Sequence, residues 1–324
     1  MSGRRWPLWT TLIPLAVGLA GWWWVWSGWA ARLETTLRGI LPAETAIRVG
    51  GFPYRLQATT GPVRLEWRDV AAFVAGSAEQ MVVNRQPWRV DRQVVNLSAP
   101  RLEAGLAGLA GAGATVTAPR AQASLRLEER RIARLSIVWE EPELRLAFLP
   151  VPARARRFEL HVRETPVAGE AARTAPTAPV QAQAVIAGEG VRFGNGDPLR
   201  LSASLDLTAA TPVGSLAGWA AGGTGELREV VLSDATGEVA RMSATLSPGR
   251  DGRLLLAGTI ETVCPRSVRA ALAGLPPVSE KRTRKPQQLA LTGIVGEAAE
   301  LPPADPAAVA PPVRGQEPDC PRLR

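Results

Sequence analysis

The segment Leu199–Thr208, LRLSASLDLT, alternates between apolar and polar residues without a break. Successive side chains of an extended chain point to opposite faces, so the apolar residues from Leu199 to Leu207 share one face. Pro198 precedes the segment and cannot donate a hydrogen bond to a neighbouring strand, which suits the start of a strand. The pattern predicts a β-strand with one buried face.

Similar proline-led segments lie on the N-terminal side of this strand. Leu97–Leu106 (LSAPRLEAGL) and Val116–Leu125 (VTAPRAQASL) align at an offset of nineteen residues, and Pro142 precedes the short run Glu143–Leu146. Strands at a spacing of about twenty residues, with no long helical pattern between them, predict an antiparallel meander rather than alternating strands and helices.

The N-terminal segment Leu8–Ala31, LWTTLIPLAVGLAGWWWVWSGWAA, contains no charged residue. As a helix it would be about 36 Å long, and a bilayer core is about 30 Å thick. We therefore predict a single-pass transmembrane anchor. Arg4 and Arg5 favour a cytoplasmic N-terminus, which places the body on the outer side of the membrane. Two alternatives remain: a signal peptide cleaved near Gly28–Ala31, and a buried core helix.

Tryptophan is concentrated around this segment, which contains or adjoins seven of the 11 tryptophans. Indole rings prefer the membrane–water interface because the ring is apolar and its N–H can stay hydrated. We expect the C-terminal group to form a collar at the outer membrane interface. Its members are Trp22, Trp23, Trp24, Trp26 and Trp29.

Further patterns complete the expected organisation. Met242–Leu246 and Leu254–Ile260 flank the turn sequence SPGRDG and predict a hairpin. Arg266–Leu275 predicts a short helix, and the glycine-rich Gly105–Ala114 predicts a loop or a poor helix. We expect a mainly β fold: the transmembrane helix, then an elongated, antiparallel, curved β-sheet body with a few short helices. The body would be a meander, a half-barrel or two sheet layers. The predicted segments are the tail and anchor 1–31, a helical stalk 32–45, a first β-rich half 46–164, a Pro/Ala-rich linker or loop 165–180, a second β-rich half 181–300 and a Pro-rich tail 301–324.

The chain has two cysteines, Cys264 and Cys320. In an oxidising compartment they can form a disulfide that ties down the Pro-rich tail, although the sequence leaves this pairing open. Two distant cysteines and the single His161 do not provide a four-ligand metal site, so we expect no metal.

Although the formal charge is +8, we expect no nucleic-acid partner. Nearly all of the basic residues are arginines that are scattered along the predicted strands, whereas nucleic-acid sites cluster basic residues with aromatic ones. The densest basic run, Glu280–Lys285, suits either a solvated loop or contact with anionic headgroups.

The sequence contains no recognisable catalytic set and no cofactor motif. Two glycine triplets only approximate a dinucleotide fingerprint: Gly108, Gly111, Gly113 and Gly188, Gly190, Gly194. Neither triplet lies between a strand and an amphipathic helix, as that fingerprint requires. His161 lies opposite the apolar face of an alternating strand, which places it on the solvent side. The cluster of Glu140, Glu141 and Glu143 is typical of an exposed turn and does not by itself indicate acid–base catalysis. We therefore expect no enzymatic activity and no cofactor.

One short motif follows the helical region: Gly51-Phe52-Pro53-Tyr54-Arg55. A single N-terminal span, a short helix, this motif and a long run of alternating strands together resemble a bacterial envelope family, domain of unknown function 2125. The resemblance implies an inner-membrane protein with a periplasmic body and no established activity, and it implies a structural role for the motif.

Three functions are compatible with these features. In the first, the body binds membrane lipid or a lipid-linked molecule in an apolar groove, because one face of each strand is built from small and branched apolar residues. In the second, the body is a structural or assembly module that binds a membrane-protein partner. A hydrolase is the third, and no visible nucleophile and base support it.

Overall fold

The protein is described by a computed structural model that covers residues 9–68, 72–106, 113–128, 131–147, 149, 151–165, 179–209, 219, 223–249, 253–295, 297 and 317–324. Helix α1 spans Trp9–Arg38 and helix α2 spans Pro265–Leu272. The strands are β1 (Ile47–Gly50), β2 (Leu56–Thr60), β3 (Val63–Arg68), β4 (Ala72–Ala78), β5 (Gln80–Arg85), β6 (Arg92–Ser98), β7 (Arg101–Leu106), β8 (Gly113–Thr117), β9 (Arg120–Glu128), β10 (Arg131–Glu140), β11 (Glu143–Leu146), β12 (Ala153–Arg154), β13 (Arg157–Glu164), β14 (Val180–Phe193), β15 (Leu199–Thr208), β16 (Thr224–Asp234), β17 (Gly237–Pro248), β18 (Leu254–Thr262) and β19 (Gln287–Ile294).

All of these strands pair antiparallel in one sheet of 19 strands, which confirms the predicted fold class. The sheet has two parts that we call the main sheet and the flap. The main sheet runs in the order β1-β2-β5-β6-β9-β10-β13-β14-β15-β16-β17-β18-β19. The flap runs β3-β4-β7-β8-β11-β12 and joins the main sheet through β14. Among the described strands, β1 and β19 do not pair with each other, so the sheet is not closed.

The prolines of the repeated segments lie along the line where the main sheet bends into the flap. The chain crosses this line at Pro100 between β6 and β7, at Pro119 between β8 and β9, and at Pro142 between β10 and β11. A proline has no N–H to donate, so the regular ladder stops there. The carbonyl oxygens of Pro100 and Pro119 instead accept hydrogen bonds from Ala118 N and Ala99 N, at 3.2 and 2.8 Å. The nineteen-residue offset is therefore the spacing between the crossings at Pro100 and Pro119.

The predicted hairpin and short helix are present, whereas two predicted loops lie partly outside the described residues. The predicted hairpin is present as β17 and β18, and the predicted short helix is α2. Gly105 and Ala114 belong to β7 and β8, whereas residues 107–112 lie outside the described part of the chain. β13 pairs directly with β14, so the segment 165–180 connects neighbouring strands, and its residues 166–178 also lie outside the described part.

The residues predicted as a helical stalk, 32–45, pack against the β-sheet body. Helix α1 continues to Arg38, and Leu33, Leu37 and Leu41 are buried against the edge of the main sheet. Ile40 is 62% exposed, so it does not share the buried side of Leu33, Leu37 and Leu41. These three leucines dock the helix onto strands that are distant in sequence.

Candidate functional site

One face of the main sheet is apolar from edge to edge. The strand registers place thirteen residues side by side in a row across it, one from each strand, and every one is apolar. The row is Val49, Ala58, Val83, Val95, Ala123, Ile137, Leu160, Ile186, Ala203, Val230, Met242, Ile260 and Leu289. We call this side of the main sheet the apolar face. An extended apolar surface of this kind must be covered by protein or by another apolar substance.

Both ends of the apolar face are covered by protein. At the β1 edge, α1 packs Trp26, Leu33 and Leu37 against Leu56 and Val83. At the β19 edge, α2 and the C-terminal segment cover the face through a second buried cluster. That cluster includes Val239, Ile260, Cys264, Val268, Leu289, Leu291 and Leu323. Close to the bend, the flap adds cover where Val116 and Leu144 pack near Trp139.

The middle of the apolar face is different. Nine of its residues, on six consecutive strands of the main sheet, are partly exposed and belong to none of the buried clusters formed by the described residues. We call them the open strip. Its members are Leu125, Leu135, Val162, Ala184, Ile186, Ala203, Leu205, Leu227 and Val230. At about 4.8 Å between strands, the strip extends roughly 24 Å across the sheet.

The Gly-Phe-Pro-Tyr-Arg motif forms the junction between α1 and the main sheet. Gly51 has a φ of 99°, and its carbonyl oxygen accepts a hydrogen bond from Arg55 N at 3.1 Å, which closes a tight turn directly before β2. A Cβ atom at Gly51 would lie 2.6 Å from the Arg55 oxygen, so only glycine fits there. The Phe52 ring contacts the rings of Trp23 and Trp26 edge to face.

Two tryptophans of α1 donate hydrogen bonds to the backbone of this turn. Trp22 Nε1 donates to the Pro53 oxygen at 3.0 Å, and Trp26 Nε1 donates to the Arg55 oxygen at 3.2 Å. Trp26 is buried, and Trp22 packs edge to face on Trp29. Trp22 and Trp26 therefore use their N–H groups in the contact between α1 and the body, while the interface collar stays a prediction.

The part of α1 that precedes this junction is exposed, with exposed apolar side chains along Leu12–Leu19. At the junction itself, Trp23 and Trp24 are 53% and 77% exposed. Because Trp26 contacts the start of β2, the part of α1 before the junction projects beyond that end of the main sheet. Among the described residues, no helix meets the length and hydropathy required of a membrane span.

The sequence of the chain matches a known protein family. Residues 27–312 match the family described as "Uncharacterized protein conserved in bacteria (DUF2125)". The chain belongs to the DUF2125 family. The resemblance predicted from the Gly-Phe-Pro-Tyr-Arg motif is thereby confirmed. No curated protein and no solved structure matches the chain.

In this DUF2125 protein, Cys264 and Cys320 form a disulfide that holds the C-terminal segment against α2. The neighbouring acidic group, Glu280, accepts hydrogen bonds from Ser267 N and Arg266 N at 2.7 and 3.3 Å, so it caps the start of α2. Closing a loop of this length stabilises the folded state by about 4 kcal/mol in the chain-entropy model. The disulfide thus fixes the cover at the β19 end of the apolar face.

The basic run Glu280–Lys285 is used within the DUF2125 fold. Lys281 pairs with Asp319 at 2.9 Å, Arg282 with Asp234 at 2.6 Å, and Arg284 with Glu317 at 3.1 Å. Two of these partners belong to the C-terminal segment. The run therefore acts as a clamp on that segment through Lys281 and Arg284, and three of its four cations are paired within the fold.

The candidate acid–base residues lie on the polar side of the sheet. His161 is 43% exposed and lies 3.0 Å from Glu159, which confirms its predicted solvent-side position. Glu143 accepts hydrogen bonds from Arg145 and Arg154, and these arginines hold the pKa of its carboxyl below the usual value. A carboxyl in that state is a poor proton donor at neutral pH.

Sequence reasoning missed one residue of the apolar face of this DUF2125 chain. Arg85 ends β5 on the same side as Val83, and its Nε atom is buried without a hydrogen-bond partner among the described residues. The sequence contains many alternating arginines, and only the strand register shows that this one faces inward.

Proposed function

We propose that this protein is a membrane-anchored envelope protein whose β-sheet body binds the acyl chains of a lipid, or of a lipid-linked molecule, along the open strip. The observation that carries the proposal is the partial exposure of that strip between two covered ends of one continuous apolar face. The role is binding rather than catalysis.

The dimensions of the strip favour an acyl chain as its occupant. One leaflet of a bilayer accounts for about half of a 30 Å hydrocarbon core, so an acyl chain of about 15 Å fits within the roughly 24 Å strip. Each methylene removed from water contributes about 0.8 kcal/mol. The strip is built from Ala, Leu, Ile and Val, whose modest bulk leaves room beside the sheet.

The exposed N-terminal part of α1 supports membrane attachment. Leu12, Ile13, Leu15, Val17 and Leu19 are each more than half exposed, which is unfavourable in water over so long a surface. The hydrogen bonds of Trp22 and Trp26 to the body favour an uncleaved segment over a signal peptide, because cleavage near Ala31 would remove both. The disulfide is consistent with a body in the oxidising periplasm of a bacterium, with the N-terminus in the cytoplasm.

Lipid extraction tests the proposal. The full chain is purified in mild detergent, and its bound lipid is quantified by mass spectrometry for the wild type, Ile186→Asp and Val185→Asp. Ile186 lies on the open strip, whereas its neighbour Val185 is 47% exposed on the opposite face. We expect bound lipid in the wild type and in Val185→Asp, and a loss of severalfold in Ile186→Asp. Equal lipid content in all three proteins, or no lipid in any, would contradict the proposal.

A second function, docking of a membrane-protein partner, is favoured by the edge of the flap. Leu65 and Trp67 on β3 and Val74 on β4 are exposed, at 37%, 52% and 38%. β3 is also an edge strand of the flap in the described part of the sheet, so its backbone can pair with another strand. Cross-linking in native membranes, compared between the wild type and Trp67→Glu, tests this function. A stable cross-linked protein lost in the variant would support it, and an unchanged pattern would count against it.

A further inference from the structure

Arg85 lies in line with the open strip. It shares a side of β5 with Met81 and Val83, and it pairs with Leu56 of β2. Asn84 pairs with Val94, so Arg85 lies beside Gln93 of β6, and Gln93 pairs with Leu125, the first residue of the open strip. A cation therefore stands at one end of a row that continues through the apolar strip.

The guanidinium of Arg85 lacks a counter-ion among the described residues. Its buried Nε–H donates to no oxygen of the described residues, and no described acidic side chain forms an ion pair with it. Burial lowers the pKa of Arg85 from its ordinary value, which reflects the cost of holding this charge away from water. Arg85 is partly exposed, so an anion from outside the chain can reach its guanidinium and accept a hydrogen bond from the buried Nε–H.

The residues around Arg85 indicate that this anion would come from the membrane surface. Arg85 lies at the end of the main sheet from which the exposed part of α1 projects, since Leu56 follows the turn that binds Trp26. Tyr54 and Trp88, at 77% and 59% exposure, and Val90, at 62%, lie at the same end. Exposed aromatic residues beside arginine are typical of a protein surface at the headgroup layer of a bilayer.

We propose that Arg85 binds the phosphate of a membrane phospholipid whose acyl chain lies on the open strip. This inference rests on the proposed function and specifies its ligand. The planar guanidinium forms two parallel hydrogen bonds to phosphate oxygens, and Gln93 beside it offers an amide donor. The headgroup would sit near the membrane end of the row, and the acyl chain would continue from Leu125 towards Leu227.

The test compares two lipids that differ only in the headgroup. The full chain in detergent is delipidated and titrated with phosphatidylglycerol or with diacylglycerol of the same acyl chains, and bound lipid is measured by native mass spectrometry. For Arg85→Gln we expect phosphatidylglycerol to bind about tenfold or more weakly, with diacylglycerol unchanged. Arg85→Lys should retain part of the preference. Arg89→Gln, which removes an exposed arginine from the adjacent turn, should change neither.

Each outcome separates the two proposals. Unchanged phosphatidylglycerol binding in Arg85→Gln, with diacylglycerol still bound, overturns the Arg85 site and leaves the apolar strip intact. Failure of the wild type to bind either lipid overturns the proposed function. Added inorganic phosphate distinguishes a lipid headgroup from a free anion: we expect no displacement of phosphatidylglycerol at equal concentration. Phosphate that protects the wild type but not Arg85→Gln from thermal unfolding, without any lipid preference, would assign the site to free phosphate and overturn the headgroup assignment.

Discussion

The edges and the middle of the apolar face are built from the same types of residue but have different surroundings. At the β1 edge, Leu56 and Ala58 are completely buried beneath α1. Six strands away, Ala184 and Ile186 have the same pattern and the same orientation, yet they stay partly exposed. The alternation of apolar and polar residues therefore specifies which side of a strand is apolar. Whether that side becomes a core or a binding surface depends on whether a helix or another segment covers it.

The largest expected effect concerns the cover at the β19 edge. Cys320→Ser removes the disulfide and should lower the free energy of unfolding by up to about 4 kcal/mol, because the C-terminal segment is no longer held. Denaturant unfolding of the oxidised wild type and the variant measures this loss. Reduction of the wild type should reproduce the variant, and an unchanged midpoint would show that the segment is held without the disulfide.

The cover at the β1 edge gives the next effect. Leu33 is 1% exposed, and Leu33→Ala should cost about 3 kcal/mol of stability because it leaves a cavity under α1. Leu205→Ala on the open strip is the matched control and should cost about 1 kcal/mol or less, since its side chain is only partly packed. Thermal melts of both variants measure the difference. Equal losses would remove the distinction between covered and open regions.

A smaller effect is expected at the junction that seats α1. Gly51→Ala should cost about 2 kcal/mol, because an alanine at positive φ is strained and its Cβ would meet the Arg55 oxygen. Gly50→Ala is the control, as nothing lies within 4 Å of its added Cβ, and it should be nearly neutral. Chemical denaturation of the two variants decides whether the motif has the structural role described above.

The smallest effect depends on pH. The backbone N–H of Arg322, followed by its guanidinium, lowers the pKa of Asp197, which anchors the C-terminal segment. A folded-state pKa below the unfolded value of about 3.9 gives stability that is present above that value and is lost as pH falls through the folded pKa. Thermal midpoints of the wild type and Asp197→Asn should therefore differ at pH 6 and converge as the pH falls below about 3.9. A constant difference across this range would contradict the assignment.

The strands could be predicted from the sequence more fully than the elements that pack against them. Strict alternation at Leu199–Thr208 and the prolines at Pro100, Pro119 and Pro142 predicted the meander, because both signals are local. The packing partner of α1 was not predictable, since Leu33 and Leu37 contact strands whose position depends on long-range pairing. Arg85 was missed for the same reason: its isolation arises from the side of β5 that it occupies and from the neighbours that pairing supplies.

Photo-cross-linking in native membranes tests the central claim most directly. A photoreactive amino acid is placed either at Ala203, on the open strip, or at Ser204, the next residue on the opposite face. The proposed function predicts lipid adducts at position 203 and few or none at position 204. Equal lipid labelling at both positions, or adducts at position 203 formed only with the protein's own chain, would contradict it.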